Sequence, residues 1–167
     1  MAFRLGDSVA YTEAREALAG LPELPADELE SLWGWSPHVA LGMVAMCSER
    51  YAEAEELLLA AWEKARARGA RYAFVWASTF LTELEWRRGR LRDALRYSGD
   101  AALYPVRVPW VTALAYGIRG RVLMDMGDLE GAEACFARSE AECNQAALAQ
   151  VYRKSPPNRL FWVSRNP

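Results

Sequence analysis

The chain has 167 residues, of which 52% are apolar and 25% charged, and its net charge is −2 at pH 7. This composition excludes a disordered chain, and the acidic balance excludes the basic field of a non-specific nucleic-acid-binding protein. No run of about 18 uncharged apolar residues is present, which excludes a membrane-spanning helix. Three cysteines cannot form a disulfide framework, and the first residues do not resemble a signal peptide, so a cytoplasmic protein is expected.

The elements predicted in chain order are all helical. Strand-like alternation and hairpin turn pairs are nearly absent, whereas apolar residues recur at helical spacing between glycine and proline breaks. We expect helices near 8–20, 26–34, 37–48, 50–68, 71–88, 90–104, 110–126 and 128–142, with a further short one at 145–153. Gly69, Gly89 and Gly127 fall where a left-handed C-terminal cap is wanted. The fold class predicted is therefore all-α.

A period of about 40 residues organises these helices. Three alanines are spaced 40 and 38 residues apart, each three positions after a large apolar residue and just after a turn: Ala54 after Tyr51, Ala94 after Leu91, and Ala132 after Leu129. Gly42 and Gly120 lie twelve positions before the first and third alanine, while the middle unit has Thr82 there. Small residues at fixed places let paired antiparallel helices approach closely. We expect repeats near 36–68, 71–104 and 110–142, a degenerate repeat at 8–34 around Ala14, one domain over 1–154, and a tail at 155–167.

At these residues the sequence resembles the tetratricopeptide repeat family. Gly42 and Gly120 match its small position on the first helix of a repeat, the three repeat alanines match its second-helix alanine, and Leu58 and Phe136 match its large second-helix residue. The long period is more similar to the tetratricopeptide-like arm of large ATP-binding LuxR-type (MalT-like) bacterial transcriptional regulators. The resemblance covers about 40–145, and 72–136 carries most of it.

The resemblance implies antiparallel helix–turn–helix repeats stacked as a short superhelix. Such regulators also carry a P-loop ATPase domain and a DNA-binding helix-turn-helix. This sequence has no G-x-x-x-x-G-K-[ST] motif, and no room for a DNA-reading domain remains after Gln145. The chain is therefore expected to correspond to the arm alone, either as a fragment or as a stand-alone relative, without direct nucleic-acid binding.

Residues that could carry catalysis or bind a metal are sparse. His38 is the only histidine and falls in the first turn of a predicted helix. Cys135 and Cys143 stand about 12 Å apart along one helix and cannot form a disulfide. Cys47 belongs to no C-x-x-C motif, and all three cysteines are interpreted as buried small apolar residues. We expect no enzymatic activity, no metal and no cofactor, with a small helical enzyme as the least favoured class.

The charged stretches also have structural interpretations. Asp125 to Glu130 lacks the ligand pattern of a calcium loop and is predicted to be a helix–turn–helix junction. Glu83 and Arg87 are four apart and are expected to form a modest surface pair. The one dense basic cluster could receive a phosphate or an acidic peptide, but a solvated face is favoured: Arg87, Arg88, Arg90, Arg92 and Arg96.

The resemblance assigns the inward-facing positions of each first helix to a concave groove. Trp76, Phe80, Glu83 and Arg87 follow helical spacing, which places them along one stripe. The groove residues expected to bind a partner or ligand are Met43, Met46, Trp76, Thr79, Phe80, Glu83, Trp86, Arg87, Ile118, Arg121 and Asp125, and Leu114 and Met124 are further inward positions. The alternative is that the large residues simply fill the space between helices.

The function predicted is a non-enzymatic helical-repeat module that binds a protein or peptide partner, in signalling or transcription. Trp76, Phe80 and Trp86 would be anchors, since binding hot spots favour aromatic residues and arginine. The alternative is a sensor that buries an apolar small-molecule effector between repeats. The apolar patch 160–163, beyond two prolines, is expected to fold over the last helix pair or to dock on a second chain as a homodimer.

Overall fold

A computed structural model describes residues 12–13, 15–16, 36–103 and 109–152, with the backbone alone at 102–103 and 145–152. The described part is all-α, as predicted: α1 (Pro37–Cys47), α2 (Tyr51–Arg68), α3 (Arg71–Arg87), α4 (Leu91–Leu103), α5 (Pro109–Asp125) and α6 (Leu129–Tyr152). Residues 12–13 and 15–16 are helical, and the rest of the predicted repeat at 8–34 lies outside the described residues, as does the tail at 155–167. No helix of the described part combines the length and apolar character needed to cross a membrane.

From residue 36 onward, the predicted helix bounds agree with the structure to within about one residue except at the C-terminal end. The bounds predicted at 8–20 and 26–34 lie outside the described residues. A helix ending at 142 and a separate one at 145–153 were predicted, but α6 runs unbroken from Leu129 to Tyr152. The prediction was wrong because Asn144 is only a weak helix breaker. Glutamine and alanine follow it, and neither glycine nor proline occurs between Asn144 and Tyr152.

The three helical pairs α1–α2, α3–α4 and α5–α6 are closed by the same turn. The second residue after each first helix has a left-handed backbone. These residues are Glu49, Gly89 and Gly127, with φ of 59°, 72° and 84°. The next amide N–H bonds to the carbonyl five residues back, from Arg50 to Ala45 at 2.9 Å, from Arg90 to Glu85 at 2.8 Å and from Asp128 to Leu123 at 2.9 Å. This is the Schellman arrangement, and it recurs five residues before each repeat alanine. The same turn therefore occurs at the same position in each of the three helical pairs.

The glycines of the first helices stand against the large residues of the second helices. A Cβ at Gly42 would lie 2.6 Å from Cγ of Leu58, and a Cβ at Gly120 would lie 2.6 Å from Cε1 of Phe136. At both positions the close approach of the paired helices leaves no room for a Cβ unless the facing side chain moves.

The pairs pack on one another in chain order. Each second helix contacts the first helix of the next pair, and the first helices α1, α3 and α5 contact in succession. Helix α3 thus touches four other helices, and every residue from Ala73 to Glu85 is buried. A core that includes Ala54, Leu58 and Trp76 extends from α1 to α5. Stacked helix–turn–helix units are the observed architecture of the described residues.

Candidate functional site

The first residues of the predicted stripe on α3, Trp76 and Phe80, belong to the hydrophobic core. Trp76 has an exposed fraction of 2%, and its ring stacks on Phe80 at 5.4 Å between centroids and meets Trp110 of α5 at 4.9 Å. Thr79 is also buried, and its hydroxyl donates to the Val75 carbonyl at 2.7 Å. The expectation that Trp76 and Phe80 face an open groove is therefore wrong, since both rings fill the space between the second and third units.

In the first unit, the two predicted methionines differ in exposure. Met46 is buried within the same core as Val39, whereas Met43 is half-buried and packs against that core. Neither side chain presents the large exposed apolar surface of a partner anchor. Met46 therefore stabilises the packing of α1, and Met43 has only a partly accessible edge.

The second half of the stripe forms a polar cluster, which we define as Glu83, Trp86, Arg87, Arg121 and Asp125. Glu83 accepts from Arg87 Nε at 2.9 Å and from Arg121 Nη2 at 2.6 Å, one guanidinium on each carboxylate oxygen. The Arg121 guanidinium lies 4.6 Å from the Trp86 ring centroid, and Trp86 Nε1 donates to Asp125 at 2.7 Å. The structure thus brings together five of the predicted site residues from α3 and α5.

The polar cluster is electrostatically balanced. The carboxylate of Glu83 is buried, so Glu83 and Arg87 are not the surface pair that was predicted. Burial of this charge is tolerated because two guanidinium groups satisfy it. Arg87 and Asp125 are exposed and Trp86 is half-buried, which leaves the cluster an accessible polar edge.

The arginine-rich stretch after α3 is not a free basic face. Arg88 donates to Glu55 of α2 at 2.6 Å, and Arg90 donates to Glu55 at 2.9 Å and to buried Glu85 at 2.8 Å. The hydrogen bond from Arg88 lowers the pKa of Glu55, and the bond to Glu85 raises the pKa of Arg90. These four residues, which we call the inter-helix network, tie α2 to the turn between α3 and α4.

The remaining arginines of that stretch lie on α4. Arg96 is exposed, packs over the Tyr97 ring at 4.4 Å and stands 3.9 Å from Asp93, while Arg92 is exposed. Of the five predicted basic residues, Arg87, Arg88 and Arg90 are thus bound to glutamates. The solvated-face interpretation holds only for the α4 part of the stretch.

A groove lies between α5 and α6, and the sequence predicted only the residues that α5 contributes to it. It consists of two hollows that share Phe136. The Leu114 hollow has a volume of about 560 Å³ and is lined by Trp110, Ala113, Leu114, Gly117, Ile118, Arg121, Phe136, Ser139 and Cys143. The Leu129 hollow has a volume of about 440 Å³ and is lined by Met124, Leu129, Ala132, Glu133, Phe136, Ala137 and Glu140. The first-helix residues here, Leu114, Ile118, Arg121 and Met124, were expected, whereas the wall from α6 was not.

The exposed large apolar side chains of the described residues are concentrated at this α5–α6 groove. All of their exposed large apolar side chains lie on this pair or its turn: Leu114, Met124, Met126, Leu129 and Phe136. Four of the five line the groove, and Met126 does not. Since the other end of the Leu114 hollow reaches Arg121, the apolar groove adjoins the polar cluster. Clustered apolar surface with a polar rim is typical of an interaction site.

The other candidate residues have structural places. His38 lies in the first turn of α1, where Ser36 accepts from the Val39 amide at 3.1 Å. Asp128 caps α6 by accepting from the Gly131 amide at 2.9 Å, so the junction prediction is confirmed. Cys143 is exposed, contrary to prediction, and Cys47 is half-buried. Within the described ranges, no three His, Cys, Asp or Glu side chains are grouped as a metal site requires.

Comparisons with known proteins add no family assignment. Neither a protein-family model, nor a curated protein, nor a solved structure matches this chain.

Proposed function

We propose that this chain is a non-enzymatic helical-repeat module that binds a peptide or helix of a partner protein in the Leu114 hollow. The observation that carries the proposal is the concentration of exposed large apolar side chains in one groove. That groove ends at a cluster of paired charges. Apolar anchors would bind in the hollow, and the exposed edge of the polar cluster would set the register of the bound segment.

The shape of the hollow favours a peptide over a small effector. Sites for small molecules enclose most of the ligand surface, whereas the Leu114 hollow is shallow and open along the helix pair. Between the second and third units, the rings of Trp76, Phe80 and Trp110 already occupy the space that an apolar effector would need. The resemblance to MalT-like arms suggests a partner in bacterial signalling or transcription, and this remains part of the proposal.

The test uses a phage-displayed random peptide library selected on the full chain. We expect the selected peptides to lose at least tenfold in affinity for Leu114→Gln, because the substitution removes an apolar anchor from the hollow. The melting temperature should change little, since Leu114 is exposed. Met126→Gln is the matched control, because Met126 is a large exposed residue in the turn of the same pair and lines neither hollow.

Two results would contradict the proposal. One is a selection that enriches no binding peptide. The other is a set of peptides that bind Leu114→Gln as well as the unchanged chain, since those peptides would bind elsewhere on the molecule.

A further inference from the structure

The Leu129 hollow has an acidic rim that the rest of the groove lacks. Glu133 and Glu140 line it beside Leu129 and Phe136, and both carboxylates are on exposed residues. Glu53, Glu55, Glu83, Glu85 and Glu142 each pair with an arginine. Within the described part of the chain, no ion pair involves Glu133 or Glu140. The hollow therefore suits an apolar segment with basic flanks.

The chain contains such a segment after α6. Residues 160–163 read Leu-Phe-Trp-Val, with Arg159 before them and Arg165 shortly after. The whole stretch 153–167 has four basic residues and no acidic residue, in a chain whose net charge is negative. Its apolar centre and basic flanks complement the apolar floor and acidic rim of the Leu129 hollow.

The segment can reach the hollow. Phe136 lies sixteen residues before Tyr152, about 24 Å back along the axis of α6 at 1.5 Å per residue. The eight residues from 153 to 160 span up to about 27 Å when extended. Pro156 and Pro157 cannot continue a helix, which favours an extended path there. A tether this short gives an effective concentration on the order of millimolar, which favours the same chain over a second copy.

We propose that residues 159–165 of this chain bind in its own Leu129 hollow, with the aromatic pair Phe161 and Trp162 over Phe136 and the arginines beside Glu133 and Glu140. The segment covers the apolar end of the last helical pair, where no further repeat of the described residues stacks. The inference rests on the proposed function only in that it concerns the same groove. It requires no outside partner.

The test is a charge-reversal cycle on the full chain, read as the melting temperature. Glu133→Arg with Glu140→Arg, and separately Arg159→Glu with Arg165→Glu, should each lower the melting temperature by about 2–4 °C. The variant that carries all four reversals should recover at least half of the loss. Glu63→Arg, at an exposed acidic residue on α2, is the matched control, and the tail reversal should not rescue it.

Strictly additive losses in the four-fold variant would overturn the proposal. Recovery that appears only as the protein concentration rises, together with dimers in sedimentation, would also overturn it, because the occupant would be a second copy. Neither readout involves the peptide library. Failure here therefore leaves the proposed partner site standing, and failure of the library selection leaves this inference standing.

Discussion

At the level of single side chains, the rings of Trp76, Phe80 and Trp110 hold the second and third units together. The Trp76 and Phe80 rings are within 13° of parallel, and Trp110 meets Trp76 at 58°. Offset and tilted aromatic pairs of this kind add about 0.5–1.5 kcal/mol beyond the burial of their area. Trp76 is therefore a stability residue of the unit interface.

The first prediction compares two core positions. Trp76→Ala should lower the free energy of unfolding by about 3–5 kcal/mol, because it leaves a cavity between α3 and α5. Ala94→Leu should lower it by about 1–3 kcal/mol, because Ala94 is fully buried where α4 packs and an added side chain overpacks that contact. Urea unfolding measures both.

Trp86→Ala is the control for loss of a tryptophan. Because Trp86 is only half-buried, this variant should lower the free energy of unfolding by less than Trp76→Ala does. A smaller loss for Trp76→Ala than for Ala94→Leu would contradict the role of Trp76 in holding the second and third units together.

The second prediction concerns Glu55 of the inter-helix network, which faces Arg88 and Arg90. Its pKa in the folded chain is lowered below the ordinary value of 4.5, chiefly by the hydrogen bond from Arg88. A lowered carboxylate pKa stabilises the folded state above the unfolded pKa, and this contribution disappears as the pH falls through the folded pKa. Asp100, whose pKa is raised by burial, acts in the opposite direction.

We therefore expect Glu55→Gln to lower the free energy of unfolding at neutral pH by up to about 1 kcal/mol, because the pair is partly exposed. The difference from the unchanged chain should shrink as the pH falls below 4.5. Urea unfolding from neutral pH to below pH 4.5 measures this difference in the free energy of unfolding. Glu63→Gln, at an exposed residue of α2, is the control. A difference that does not vary with pH would contradict the assignment.

At the level of helices, the close approach within each pair depends on what faces the glycine. Leu58 opposite Gly42 is fully buried and cannot move aside, whereas Phe136 opposite Gly120 is partly exposed and can turn toward solvent. The same sequence feature, a glycine twelve residues before the repeat alanine, thus has different consequences in the first and third units.

The third prediction uses this difference. Gly42→Ala should be destabilising, since overpacking costs about 1–3 kcal/mol and the gain in helix propensity offsets only about 0.5–1 kcal/mol. Gly120→Ala should be close to neutral, because displacement of the Phe136 ring relieves the clash. Thermal unfolding of the two variants side by side measures the effect. Equal losses would show that Phe136 is held as firmly as Leu58.

The helices themselves could be predicted closely from the sequence, because glycine and proline breaks and the repeat alanines are local signals. The left-handed conformation of Glu49 could not be predicted, since glutamate rarely adopts it. Only the alignment of the repeats shows that Glu49 occupies the same position as Gly89 and Gly127. The direction of the α3 stripe could not be predicted either. A groove face and a core face have the same 3.6-residue period, and only packing distinguishes them.

The site was predictable to the extent that it lies on the first helices. Glu83, Arg87 and Arg121 follow the repeat positions, and they do meet in the polar cluster. The inter-helix network was missed because Glu55 bonds to residues more than thirty positions away. No local pattern shows which arginine of a basic run meets a glutamate of another helix.

At the level of the whole molecule, charge and apolar surface are distributed unevenly. The arginines after α3 are paired across helices, so the most basic stretch of the sequence is not a strongly basic surface. Exposed apolar side chains in the described residues gather instead on α5 and α6. Interactions of the described part with other molecules are therefore expected at its last helical pair.

The enclosure of α3 has a consequence for how the three units lose their structure. Stacked repeats often fray from their ends, because each unit contacts only its neighbours. Here the central helix α3 contacts α1, α2, α4 and α5, and every residue from Ala73 to Glu85 is buried. Loss of α5–α6 would open buried Trp76 to water, because Trp76 packs on Trp110. Loss of α1–α2 would open buried Phe74, because Phe74 packs on Trp62. We therefore expect the three described units to unfold together, in a single cooperative transition.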